Sequence, residues 1–253
     1  MRIAVIHGEV AKDAGRDETD VLVQVAFVTE GLRQMGHEAS AVPVGLNLLE
    51  ASRAIAAARP GVAFNLVESL AGKGSLIHLV PALLDALGIP YTGARTEAMI
   101  LTSNKILAKN WLAAAGLPTP PWFTAADIGA APRIEGSWLV KSVWEHASIG
   151  LDEHSVMPET SREALLEQME RRRASLGGEC FAEAFIDGRE FNISVLAASH
   201  GPEVLPPAEI RFDAYPPGKV RVVGYRSKWE EGSFEFNNTP RSFEFPAGDA
   251  PLL

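Results

Sequence analysis

Residues 1–94 alternate between the period of a buried strand and that of an amphipathic helix, and few folds accept that order. "RIAVI" (2–6) is a short apolar run closed by Gly8, and "DVLVQVAFVTEGLRQMG" (20–36) repeats its apolar residues at helical spacing up to Gly36. "EASAVPV" (38–44) predicts the next strand, 48–59 a helix, "RPGVAFNLV" (59–67) a third strand and "SLIHLVPALLDALG" (75–88) a helix closed by Gly88. This βαβαβα order predicts a parallel sheet with helices on both faces. Such sheets gather ligands at the carboxyl ends of their strands, here Gly8 with Glu9 and Asn65 to Glu68.

Beyond "IPYTGA" (89–94) the pattern changes. "TEAMILTSNKILAKNWLAAAG" (96–116) reads as a helical stretch with Lys105 and Lys109 four apart on one face. A proline-stiffened link, "LPTPPWF", leads to the strand "SWLVKSV", and "TSREALLEQMERRRASLGG" (160–178) reads as a capped helix. "ECFAEAFIDGREFNISVLA" (179–197) predicts two strands joined at Asp187 and Gly188, and two more are expected over 203–212 and 219–229.

Composition narrows the function classes. With 253 residues, 47% of them apolar, the chain can bury one large core or a few small ones. A net charge of -9 argues against sequence-blind binding to nucleic acid or to an anionic membrane, since both need clustered positive charge. No stretch reaches the ~18 to 20 apolar residues that a membrane span needs. Cys180 is the single cysteine, so no internal disulfide forms and a cytoplasmic setting is expected. A small-molecule site is the remaining class.

"WLVKSVWEHASIGL" (138–151) carries the strongest chemical signal. Lys141 sits inside a strand, where an unpaired ammonium is expensive, and the strand runs at once into a loop of small and polar residues. A strand lysine followed by a loop with free N–H groups suits a polyphosphate. His146 reads as a loop residue, and "GKG" (72–74) is too short for a Walker-type loop.

"LGIPYTGA", "SNKILAKNWLAAAGLPTPPW", "WLVKSVWEHASIGL" and "CFAEAFIDGREFNISVL", in this order and spacing, resemble the ATP-grasp enzymes of the D-alanine:D-alanine ligase type over residues 60 to 229. The resemblance implies an α/β fold in which an N-terminal parallel lobe (1–94) precedes two α+β lobes that clamp ATP, a central one (95–182) and a C-terminal one (183–253). It implies an ATP-dependent ligase that phosphorylates a carboxylate and lets an amine attack the acyl phosphate, with ATP and Mg²⁺ as cofactors. Its substrates would be a small carboxylic acid and an amine, and a homodimer is compatible with it. Lys105 and Lys141 look like the two phosphate lysines, with Ser148 in the loop beside them. Glu183, Ala184 and Ile186 match the segment that reads adenine, Glu190 the acid that takes the ribose hydroxyls, and Lys228 the catalytic lysine that closes over the γ-phosphate. For the amine side, Glu9, Asp20, Asn65 and Glu68 at the carboxyl edge are the candidates.

Three departures from the family leave the substrate open. Ala147 and Trp229 stand where ligases that make D-alanyl-D-alanine carry a serine and a tyrosine, and "NLVESLAGKG" replaces their loop after the third strand. The family's metal ligands, an Asp followed later by Glu-x-Asn, have a short echo in Glu235 and Asn237, which strand alternation would put on one face. That echo lies seven residues after Lys228 with no upstream Asp, so it reads as a decoy and the metal ligands are expected beyond Leu253. On this reading "GDAPLL" begins a helix that continues further, and Phe234, Phe236, Phe243 and Phe245 are left uncovered. An ATP-binding protein without turnover is the alternative function.

Overall fold

The computed structural model describes residues 1–127, 129 and 132–249. It divides into two compact units: one holds 1–119, 142–146 and 173–180, the other 120–141, 147–172 and 181–253.

The first unit is built on a parallel sheet. β1 (Arg2–Gly8) lies between β2 (Glu38–Val44) and β3 (Val62–Asn65), in the order β2-β1-β3. Alternate residues of β1 serve opposite faces. Ala4 and Ile6 join Ile55 of α2 (Leu48–Ala58) and Leu84 of α3 (Leu79–Leu87) in one core. Val5 joins Val25 of α1 (Arg16–Gln34) in the other. Helices therefore cover both faces, as the alternation of periods predicts.

The helix expected over 96–116 is two helices, α4 (Thr96–Ser103) and α5 (Lys105–Ala114). Asn104 breaks it: its backbone is extended, and its side-chain oxygen accepts from the N–H groups of Ile106 and Leu107, 3.0 Å each. An asparagine that can satisfy two orphan donors favours starting a new helix over continuing the old one.

In the second unit, β4 (Trp122–Phe123), β5 (Trp138–Ser142), β6 (Val156–Met157) and β7 (Cys180–Ala184) form a sheet in the order β4-β7-β5-β6. Trp138 and Phe181 are fully buried, as is Leu165 on α6 (Arg162–Arg172). β8 (Glu190–Asn192) leaves that sheet, so the two strands expected over 179–197 do not pair with each other. β9 (Val195–Ala198) and β10 (Gly201–Val204) make a hairpin, and β11 (Ala208–Ile210) pairs with β8 and β12 (Arg241–Ser242). Pro206 and Pro207 lack the N–H a ladder needs, which splits the single strand expected over 203–212.

Two further expectations are corrected. Residues 219–229 are no strand: after the Pro216–Gly218 turn the chain runs irregularly into the short helix α7 (Tyr225–Trp229). The Val223 carbonyl accepts from the Ser148 hydroxyl and the Tyr225 N–H donates to the Leu151 carbonyl, and the β-branched run "VRVV" joins no ladder. "FEFN" is likewise helical, α8 (Phe234–Asn237), because Ser233 caps it by accepting from the Phe236 N–H. Residues two apart on a helix point about 200° apart, so the alternation puts Glu235 and Asn237 on different sides. Phe234, Phe236 and Phe243 are exposed, while Phe245 stacks on Phe191. The expected helix at "GDAPLL" falls, from Ala250 on, outside the described residues.

The cap gives a direct test. Asn104→Ala should lower stability by about 1 kcal/mol, read as a shift of the urea midpoint with unchanged slope.

Candidate functional site

β5 brings Lys141 into the second unit, and the ammonium is paired. Its Nζ lies 2.7 Å from Oε1 of Glu183 on β7, whose side chain is nearly buried. The pair explains how a strand tolerates a lysine: the strand that supplies the cation is in the same sheet as the one that supplies its anion.

A second pairing sits beside it. Glu190, at the start of β8, is half-buried, and its pKa is raised above the usual carboxylate value. Burial is the main cause, while Lys228, the Val223 N–H and Lys141 pull it back down. Lys228 on α7 has its ammonium shifted below the ordinary value by desolvation, with Glu190 opposing. Solvent still reaches over a third of the Lys228 residue, so this is crowding around the ammonium rather than full burial. Ser148 lies in the turn after β5, where its hydroxyl donates to the Val223 carbonyl at 2.9 Å. Thus Lys141, Glu183, Glu190, Lys228 and, through Val223, Ser148 form one charge-interleaved group in this unit.

Ala184 and Ile186 follow Glu183, Ile186 being largely exposed. The same segment contributes Phe185 and Asp187 to a cavity of about 550 Å³ that Phe212 and Tyr215 also line. Lys219 borders it, bonded to Glu153 and Glu235.

The donor set fits a nucleotide: cations for phosphate, a half-buried carboxylate for hydroxyls and an aromatic-lined cavity. It does not fit a divalent cation. Among the described residues no three His, Cys, Asp or Glu side chains converge on a metal site. Glu235 is taken by Lys219 at 2.8 Å and Arg226 at 3.4 Å, and the Asn237 amide donates to the Glu231 and Ser233 carbonyls.

In the first unit, Lys105 opens α5 and its Nζ donates to the Glu145 carbonyl at 2.7 Å. Lys109 is buried and donates to Thr119. Glu145 itself is a residue to which sequence reasoning gave no role. Its carboxylate accepts from the Gly74 N–H, and a side chain at Gly177 would strike it. Burial raises its pKa, with Gly74 and Lys105 opposing. The only hint in the sequence is its place in the loop after the lysine strand.

At the carboxyl edge of the parallel sheet, Gln24 does what no pattern announced. Its amide donates to Asp20 at 2.9 Å and reaches Glu68 at 3.5 Å, bringing two of the four candidates together. Asn65 is spent locally, accepting from the Val67 N–H, and Glu9 follows β1 with its N–H on the Val44 carbonyl.

No model of a known protein family matches the chain. It is similar to the D-alanine--D-alanine ligase of Oleidesulfovibrio alaskensis, 31% identical over 242 residues that cover 93% of this chain and 70% of the relative. That of Gluconobacter oxydans is 28% identical over 204 residues, 78% of this chain and 61% of the relative. Among the relatives matched, the chain thus spans about three-fifths of the Gluconobacter oxydans enzyme's length. Among solved structures, the D-alanine--D-alanine ligase from Bacillus anthracis superposes with a TM-score of 0.65 at 20% identity, over 99% of this chain and 74% of that one. Its complex with ATP gives 0.61 at 19%, over 100% and 73%. The ATP-grasp fold expected from the motifs is therefore the fold observed.

The charge group yields a prediction. Lys228's cation is the largest influence holding Glu190's pKa down, so Lys228→Met should raise that pKa further. A carboxyl-carbon NMR titration of Glu190 in the ligand-free chain reads it directly, and a shift downward contradicts the pairing.

Proposed function

This chain belongs to the D-alanine--D-alanine ligase family, and we propose that it is an ATP-dependent ligase that joins a carboxylic acid to an amine through an acyl phosphate. The observation that carries the reading is the charge group of the second unit, in which lysines and carboxylates alternate beside a segment that lines an aromatic cavity. Lys141 and Lys228 hold phosphate oxygens, Ser148 orders the turn near them, and Glu190 accepts from the ribose hydroxyls. The backbone from Glu183 through Ala184 to Ile186 reads the adenine edge. Lys105 takes phosphate as the resemblance assigns it. Mg²⁺, for which the described residues form no ligand set, would arrive with ATP and would neutralise phosphate charge.

The residues' part in the reaction is positioning and electrostatics. The acid's carboxylate oxygen attacks the γ-phosphorus and ADP leaves. The bound ammonium first yields one proton to a carboxylate that holds it; the freed amine nitrogen then attacks the acyl carbon, and phosphate leaves carrying the second proton. Lys228 stabilises negative charge gathering on the transferred group. Asp20 and Glu68, joined by Gln24, hold the ammonium of the amine substrate by charge-assisted hydrogen bonds.

Incubation with Mg²⁺, ATP and a panel of acids and amines, D-alanine first, should release ADP and give an amide product detectable by mass spectrometry. ATP binding without ADP release from any pair would make the chain a nucleotide-binding protein instead. Calorimetry tests the site itself: Lys141→Ala should weaken ATP about ten- to a hundredfold, the value of one charge-assisted contact. On the substrate side, Glu68→Gln should raise the KM for the amine and leave that for ATP unchanged, since one contact to the ammonium is lost.

A further inference from the structure

Residues 223–229 are fastened to the turn 147–151 at three points. Ser148 Oγ donates to the Val223 carbonyl at 2.9 Å, the Tyr225 N–H to the Leu151 carbonyl at 2.7 Å, and the Trp229 indole N–H to the Ala147 carbonyl at 3.1 Å. Gly224, between the first two, is buried, and a Cβ there would lie 2.5 Å from the Leu151 oxygen and 3.2 Å from Asp152 Cα. Only glycine lets the two segments approach this closely.

The turn being held is strained. Ala147 and Ser148 are consecutive non-glycine residues in the left-handed region, with φ of 57° and 61°. Such backbone persists where its surroundings over-determine it. Here the surroundings are the carbonyl of Ala147, tied from outside by an indole, and the hydroxyl of Ser148, tied to Val223. Val223 also donates its N–H to Glu190. One short segment therefore connects the strained turn, the Glu190 carboxylate and the helix bearing Lys228.

We infer that Trp229 is a positioning residue: its indole clamps α7 to the left-handed turn through the main-chain carbonyl of Ala147, and so sets Lys228 beside Glu190 before a nucleotide arrives. Because the acceptor is main chain, the clamp is indifferent to the side chain at 147, which is why an alanine suffices there. What the clamp cannot lose is a donor at 229 or the bare backbone at 224. The consequence for nucleotide binding rests on the proposed role of Lys228; the clamp itself does not.

Trypsin cleavage after Lys228 in the ligand-free chain measures the clamp, and ATP calorimetry measures its consequence. Trp229→Phe, which removes the donor and keeps an aromatic ring, should speed that cleavage about three- to tenfold, the worth of one hydrogen bond, and weaken ATP by a similar factor. Ala147→Gly keeps the acceptor and suits the left-handed backbone, so its cleavage rate should stay at the wild-type value. The pH dependence of amine labelling at Lys228 adds a readout of the ammonium's own surroundings, which a change elsewhere in the chain would not move. Lys228 should titrate below an ordinary lysine in the wild type and move up toward one in Trp229→Phe, as relief of the desolvation, the larger influence, outweighs the loss of Glu190's opposing pull. Unchanged cleavage in Trp229→Phe overturns the clamp. Faster cleavage with unchanged labelling and ATP affinity overturns the positioning role. If the wild type binds no ATP, the nucleotide reading fails, while cleavage and labelling still decide the clamp.

Discussion

An ammonium inside a β-strand must be met by an anion, and the second unit is arranged around that requirement. Lys141 cannot leave its strand, so the neighbouring strand in the sheet carries Glu183 with its side chain almost buried, 2.7 Å away. A half-buried pair of this kind contributes little net stability, because partial desolvation of the ions offsets their attraction. What it does supply is geometry. A lysine tethered by its partner presents its remaining donors in a fixed direction, which is what a phosphate group needs and a solvated lysine does not give.

The residues after Lys141 continue the same economy with neutral groups. At the end of β5, Ser142 fixes the chain through its hydroxyl. It donates to the Leu176 carbonyl at 2.7 Å and accepts from the Trp144 and Glu145 N–H groups at 3.2 and 2.9 Å. The serine thus satisfies two donors and one acceptor at the point where the strand becomes a turn.

The parallel sheet was legible because its signal is periodic: "RIAVI", "EASAVPV" and the helices between them each repeat their apolar residues at one spacing over a full element. Lys141 was legible because a charge inside such a run has few explanations. The roles proposed for Glu183, Glu190 and Lys228 rest on the order of motifs, since no local pattern says that residues 42 apart such as Lys141 and Glu183 will touch. The failures have physical causes. "VRVVGYRSKW" has the composition of a strand, yet its backbone is drawn to the 148–151 turn by hydrogen bonds that composition does not encode. "FEFN" alternates like a strand, yet Ser233 caps it as a helix. Gln24, which joins Asp20 to Glu68, was invisible because an amide on a helix face looks like any solvated polar residue.

The pairing of lysines with carboxylates has a cost on the binding side. Under the proposed function, a nucleotide's phosphates compete with Glu183 for Lys141 and with Glu190 for Lys228, so part of the attraction for ATP is offset by contacts already made. The competition is softened by the setting of Glu190. Burial already disfavours its charged form, so what it loses when Lys228 turns to phosphate is partly regained by accepting hydrogen bonds from sugar hydroxyls. Lys228 gains more directly: the same crowding that lowers its pKa makes a doubly charged phosphate a better partner than one carboxylate. On the proposed function, the carboxylates hold these cations in place when no ligand is present, and a polyphosphate would take over as their partner.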